Sequence, residues 1–169
     1  MTSVEVTTFY LEMRSRPEHS VPAPREGLTV VHVKSPTAEY YRSLYDVVGQ
    51  DYNWRSRRKM TPEQLLAIIG DPLDELHVLY VDGVPAGFAE LDRRQPNEIE
   101  LVQFGLVPSF IGQGLGKWFL QQTVEAAWAH QPERLWVHTC TLDHRAALSN
   151  YLKAGFTLYK EEICQRVLG

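Results

Sequence analysis

The strongest chemical signal lies in residues 102–117, VQFGLVPSFIGQGLGK. An apolar run ends at Val107-Pro108, and a short loop follows. Gly112, Gly114 and Gly116 then stand at every second position, with Lys117 directly behind them. An amphipathic segment, 115–130, begins inside the same stretch. The order is strand, glycine-rich turn, helix. Glycines so spaced let backbone N–H groups point into one concavity, because no Cβ blocks an approaching anion. The positive end of the helix dipole falls at the same place. The chemistry implied is diphosphate binding, with Lys117 either screening phosphate charge or standing in solvent in the first helical turn.

Spacing tests which diphosphate ligand this is. A P-loop ending at Gly116-Lys117 needs glycine at position 111 and a hydroxyl residue at 118; the chain has Ile111 and Trp118. The dinucleotide fingerprint G-x-G-x-x-G needs a glycine where Lys117 stands. The pattern Ile111-Gly112-Gln113-Gly114-Leu115-Gly116 instead resembles motif A of the GNAT (N-acetyltransferase) superfamily, [QR]-x-x-G-x-[GA], with Ile111 in place of the usual Arg or Gln. A second block, DHRAALSNYLKAGF at 143–156, resembles the family's N-x-x-A-x-x-x-x-Y-x-x-x-G-F segment. Ala146, Tyr151, Gly155 and Phe156 match, and Asp143 stands where Asn is usual. The resemblance extends over 28–168.

The resemblance implies an acetyl-CoA-dependent N-acetyltransferase acting on a primary amine of a small molecule or peptide, by direct transfer through a tetrahedral intermediate. It assigns the pyrophosphate to the backbone of Gly112, Gln113, Gly114, Leu115, Gly116 and Lys117, and a pantetheine contact to Asp143. The acetyl carbonyl falls to the amide of Leu106, with Phe104 beside it, and a bulge near Phe104-Gly105 would free such groups. Tyr151 matches the tyrosine that faces the sulfur, and a phenol suits a thiolate leaving group. Glu100 and His138 both occupy positions where the family places its base. Histidine titrates in the right range unaided, and a glutamate needs a raised pKa. Glu100 is slightly preferred and both stay open. Tyr52 and Trp54, in the basic and aromatic run 49–60, are expected to line the acceptor pocket. A non-catalytic acyl-CoA sensor of the same fold is the alternative. No metal is expected, since no histidine pair has ligand spacing in the sequence.

The elements that must position these residues read plainly. The chain has 169 residues, 44% of them hydrophobic, enough for one domain with a real core. Strands are predicted at 4–13, 28–33, 76–81, 84–91, 98–107, 135–142 and 156–168. Helices are predicted from Ser35 or Thr37 to about residue 48, from Thr61 to near Gly70, over 115–130, and over 144–153 capped by Asp143. The order ββααβββαβαβ predicts an α+β fold with a mixed, mostly antiparallel central sheet and flanking helices, as the GNAT resemblance also implies. Residues 1–27, a strand and a proline-rich loop, read as an appendage of the domain 28–169. The net charge of −4 points to neither nucleic acid nor an anionic membrane as partner. Cys140 and Cys164 lack C-x-x-C spacing and read as buried, reduced thiols. No apolar run is long enough to span a bilayer, so a cytoplasmic protein is expected, with a homodimer left open as an assembly.

Overall fold

The computed structural model describes residues 2–52 and 54–168. Asn53, inside the expected pocket wall 49–60, lies outside the described residues, as do Met1 and Gly169. Seven strands form one sheet, with four α-helices packed on its faces. The strands are β1 (Thr2–Met13), β2 (Leu28–Val33), β3 (Asp74–Val81), β4 (Val84–Asp92), β5 (Glu98–Leu106), β6 (Arg134–Cys140) and β7 (Thr157–Leu168). The helices are α1 (Ala38–Gly49), α2 (Pro62–Ile69), α3 (Leu115–Trp128) and α4 (Ala147–Ala154). The element order is the one read from the sequence.

Local chemistry explains most boundaries. Thr37 caps α1 by accepting from the Tyr40 amide at 3.0 Å. Thr61 and Gln64 close a capping box at the start of α2, where Pro62 has no N–H to lose. Asp82 and Gly83 both adopt positive φ, the requirement of a two-residue turn that matches strand twist. Gly155 ends α4 in the left-handed region with φ 113.

The sheet runs β2-β3-β4-β5-β6-β1-β7. All its neighbours are antiparallel except β5 and β6. The amino-terminal strand β1 thus lies inside the sheet, between β6 and β7. One core packs α3 and α4 against one face, with Leu11, Leu79, Leu91, Leu101, Phe119 and Leu135 at its centre. A second core packs α1 and α2 against the other, around Tyr41, Tyr45, Leu65, Val78 and Phe88. Among the described residues no helix is long and apolar enough to cross a membrane.

Three expectations are corrected. The β5 bulge lies at Val102, where the pairing shifts from Leu91–Leu101 to Glu90–Gln103, and not at Phe104-Gly105. Asp143 does not cap α4, which starts three residues later than a cap there requires. Its carboxylate accepts instead from donors at the end of β6, Thr139 Oγ1 at 2.6 Å and the Cys140 amide at 2.9 Å. Cys140 and Cys164 are both free, but Cys140 is only half-buried and Cys164 is exposed, because the β7 residues past Leu158 lie largely in solvent.

Under α1 lies a buried charge network. Glu90 has no exposed surface, and Arg57 Nη2 reaches its Oε2 at 2.6 Å. The Tyr41 hydroxyl donates to Glu90 Oε1 and accepts from Arg57 Nε at 3.3 Å. Removing one partner from such a pair leaves an uncompensated charge in low dielectric. Arg57→Ala is expected to lower stability by about 3–5 kcal/mol in urea unfolding; a loss under about 1 kcal/mol, the range of surface pairs, would show that the pair is not a working contact.

Candidate active site

The site begins where β5 and β6 part. Their pairing runs from Glu98–Arg134 to Leu101–Val137 and ends there. Beyond that point each strand keeps its outer neighbour only. The β5 limb stays on β4 up to Leu106–Gly87, and the β6 limb stays on β1 up to Cys140–Thr8. Among the described residues β5 and β6 are the one parallel pair; the gap lies at their carboxyl ends, and α3 leaves from it. Main-chain groups line it. The Val107 amide donates to Ala86 O at 2.8 Å, on the β4 side. By strand alternation the N–H and C=O of Leu106 and Phe104 face the opposite way, into the gap.

The glycine turn sits at the mouth of this gap. Gly112 and Gly114 have φ 87 and 78, the left-handed region that glycine enters without strain. A Cβ on Gly112 would meet nothing within 4 Å, so that side of the turn is open. Gly114 is the N-cap of α3 and offers no side chain to the first-turn N–H groups, which remain available to an anion. A Cβ on Gly116 would make only an ordinary contact, 3.6 Å from Leu106 Cδ1. The Gln113 side chain donates back to Ser109 O at 3.1 Å and fixes the turn. The 14–27 loop crosses α3 here, with Pro24 Cβ 3.6 Å from the Cβ position of Gly114. An open, unstrained concavity of this kind fits a pyrophosphate.

The bulge at Val102 divides the catalytic candidates between the two faces. Ahead of it, Ile99 and Leu101 point to α3 while Glu100 points to the α1 face. Behind it, Phe104 and Leu106 pack on the α3 side. The inserted residue reverses the alternation, so Glu100 faces away from Phe104 and Leu106. Glu100 and His138 meet on the α1 face, with Nε2 3.7 Å from Oε2. The Glu100 side chain is 23% exposed. Burial, then the charges of Asp92 and Glu90, raise its pKa from 4.5 to about 7. Burial also holds His138 below its ordinary value. Burial, then the charge of Glu90, raises nearby Asp74 well above its ordinary value.

Tyr151 lies on the other face. It is 7% exposed and packs edge-on to Phe104 and Phe156, with centroids 6.4 and 5.7 Å away. Burial keeps its phenol protonated well above the usual range. Among the described residues its hydroxyl has no hydrogen-bond partner. Phe104 belongs to the parted limb of β5, so Tyr151 stands beneath the gap.

Trp54 spans the gap on the α1 face. Its ring lies 3.5 Å from the Cβ position of Gly105 and edge-on to Phe88, and its Nε1 donates to Asp143 Oδ1 at 3.2 Å. Tyr52 packs edge-on to His144, with centroids 6.0 Å apart. Asp143 is thus a strut between limbs, with three donors already on its carboxylate. A cleft of about 270 Å³, lined by Phe9, Cys140, Asp143, His144 and Leu148 among others, opens beside it. Sequence reading missed His144, Glu90 and Asp74. Glu90, a lone acid in the apolar run of β4, was the available signal, and Arg57 stood unrecognised as its partner within the basic run.

The acetyltransferase (GNAT) family model matches residues 41–156. No curated protein matches the chain. Among solved structures, a GCN5-related N-acetyltransferase from Sphaerobacter thermophilus superposes with TM-score 0.67 at 16% identity, over 95% of this chain and 50% of that one. An IAA acetyltransferase from Bacillus cereus gives 0.60 at 20% identity, over 79% of each chain. An aminoglycoside acetyltransferase from an uncultured soil sample gives 0.62 at 13% identity, over 76% of this chain and 88% of that one. At these identities the likeness is one of fold, and this chain spans half the length of the Sphaerobacter protein.

The raised pKa of Glu100 has a measurable sign. An acid whose folded value exceeds its ordinary 4.5 stabilises the fold fully below pH 4.5, and that contribution is lost as pH climbs to about 7. Glu100→Gln, which imitates the protonated form, should gain on the parent across this window, by on the order of 1–3 kcal/mol at pH 8 relative to pH 4.5. Urea unfolding at both values checks this; an equal difference at both would mean that Glu100 ionises freely.

Proposed function

The chain belongs to the acetyltransferase (GNAT) family, and from that membership we propose that it is an N-acetyltransferase. It moves the acetyl group of acetyl-CoA to a primary amine of a small molecule or peptide, by direct transfer through a tetrahedral intermediate. The observation that carries this reading is one gap with a phosphate cradle at its mouth, titrating groups on one face and a buried phenol on the other. A cradle alone would serve any diphosphate ligand.

Each residue has a distinct part. The N–H groups of Gly112 to Lys117 hold the pyrophosphate of the co-substrate. The main chain of Phe104 and Leu106 lies along the acyl arm and donates to the acetyl oxygen, a donor worth about 3 kcal/mol of transition-state stabilisation. Glu100, with His138 at its side, accepts the proton of the attacking ammonium or amine. A carboxylate titrating near pH 7 suits that task better than one titrating at 4.5. The C–N bond forms, the C–S bond breaks, and Tyr151 supplies the proton to the leaving thiolate. Tyr52, Trp54 and His144 border the acceptor's approach, and Glu100 on that face favours a cationic amine. Free Cys140 and Cys164 accord with a reducing, cytoplasmic setting. The acceptor and a second copy of the chain are the partners we envisage, and neither nucleic acid nor membrane is required.

Acetyl-CoA and CoA should raise the melting temperature, while ATP and NAD should not; the reverse pattern would reject the cradle assignment. Thiol release against a panel of amines then separates an enzyme from an acyl-CoA-binding protein without turnover. Tyr151→Phe should lower kcat by on the order of 10²-fold with CoA affinity unchanged. Unaltered turnover would remove Tyr151 from the proton transfer.

A further inference from the structure

Three of the chain's six histidines gather at one place, two strands away from the gap. His32 on β2 and His77 on β3 are directly paired across the ladder, and their rings stack 4.8 Å apart at 22°. Glu75 precedes His77 by two residues and so projects from the same face of β3. One ring nitrogen of each histidine and one carboxylate oxygen of Glu75 all lie within 4.8 Å of one another. His77 Nε2 is 2.9 Å from Glu75 Oε1. His130, just beyond α3, brings its Nε2 to 2.9 Å from Glu75 Oε2.

Packing does not account for this set. The same face of β2 and β3 is apolar over Leu28, Val30, Leu79 and Val81, which all join the α3 core. It changes to imidazole and carboxylate within a single cross-strand pair. Glu75 and His77 are buried, and His32, on the edge strand, is exposed. An open cleft of about 140 Å³ lies behind the cluster, lined by Arg93 and His130 among others but by none of His32, Glu75 and His77. Arg93 Nη1 stands 3.4 Å from Glu75 Oε2 and is the cation a bound ion would share the carboxylate with.

We propose that His32, Glu75 and His77 are the ligands of a divalent transition-metal site, with His130 orienting Glu75 from behind. Two imidazoles and one carboxylate are borderline donors that suit Zn²⁺ or Co²⁺ and not the oxygen-seeking Mg²⁺ or Ca²⁺. Three such ligands leave one tetrahedral position for water. Metal–ligand bonds of about 2.0–2.2 Å draw the three groups closer together, and exposed His32 is the member with room to move inward. The second oxygen of Glu75, held by His130, supplies the outer contact that ligating carboxylates use. The ion would tie edge strand β2 to β3, and strand β4 separates it from the gap. Its role is therefore to hold the sheet edge, and it takes no part in acyl transfer.

The test uses the untagged full chain after chelator treatment. Titration with Co²⁺ should give visible ligand-field absorption that saturates at one equivalent and is displaced by Zn²⁺, and Zn²⁺ should raise the melting temperature. His32→Asn, at an exposed position that leaves the fold intact, should weaken Zn²⁺ binding at least tenfold by calorimetry, a loss of the size that removing even an outer-shell partner produces. Glu75→Gln and His77→Asn should abolish the Co²⁺ spectrum, with circular dichroism reporting their fold. His19→Asn and His144→Asn should bind as the parent does. Absence of a one-equivalent event, or one that survives His32→Asn unchanged, overturns the proposal.

Discussion

The structure depends on a point where the sheet stops satisfying its own main chain. β5 and β6 share a ladder for four residue pairs and then each follows a different outer neighbour. Inside a continuous sheet every N–H and C=O of Phe104 and Leu106 would be spent on β6. Left without that partner, they are main-chain groups facing an open gap on a rigid scaffold. The gap opens at the carboxyl ends of parallel strands, where a crossover helix must leave, so its floor and the positive end of α3 arise from one connection. A glycine turn at a helix N-terminus beside an open strand edge follows from this topology.

The bulge at Val102 gives the two limbs separate surroundings. Without it, Glu100, Phe104 and Leu106 would share a face. With it, Phe104 falls onto the α3 core, where it meets Tyr151 and Phe119, and Glu100 remains on the α1 side. That side is dense in buried charge. Glu90 is paired with Arg57 and bonded by Tyr41, and burial beside Glu90 raises Asp74 above its ordinary value. Glu100 lies at the margin of this cluster and inherits its electrostatic pressure. One inserted residue thus places a carboxylate with a raised pKa on one face of the sheet and a buried phenol on the other.

Trp54 connects these arrangements. Its ring leans on Gly105 and Phe88 of the β4–β5 limb, and its indole N–H reaches Asp143 beyond the β6 limb. A side chain at position 105 would meet Val48 at 2.5 Å, so glycine there lets α1 and Trp54 approach the strand. The pair Trp54–Asp143 bridges the limbs on the α1 side while leaving the α3 side to the glycine turn.

Local chemistry made much of this legible in the residues themselves. Caps at Thr37 and Thr61, the Asp82-Gly83 turn, Gly155 after α4 and the spacing of Gly112, Gly114 and Gly116 each depend on neighbours a few positions away. The element order, the fold class and the family resemblance were therefore readable from one chain. The sequence carried no sign that β1 lies between β6 and β7, that the bulge is at Val102, that Asp143 turns away from α4, or that Arg57 meets Glu90. Nor did it show His32, Glu75, His77 and His130 as neighbours. Each of these depends on contacts between residues far apart in the chain, and strand pairing and register are decided only when both sheet faces are buried together.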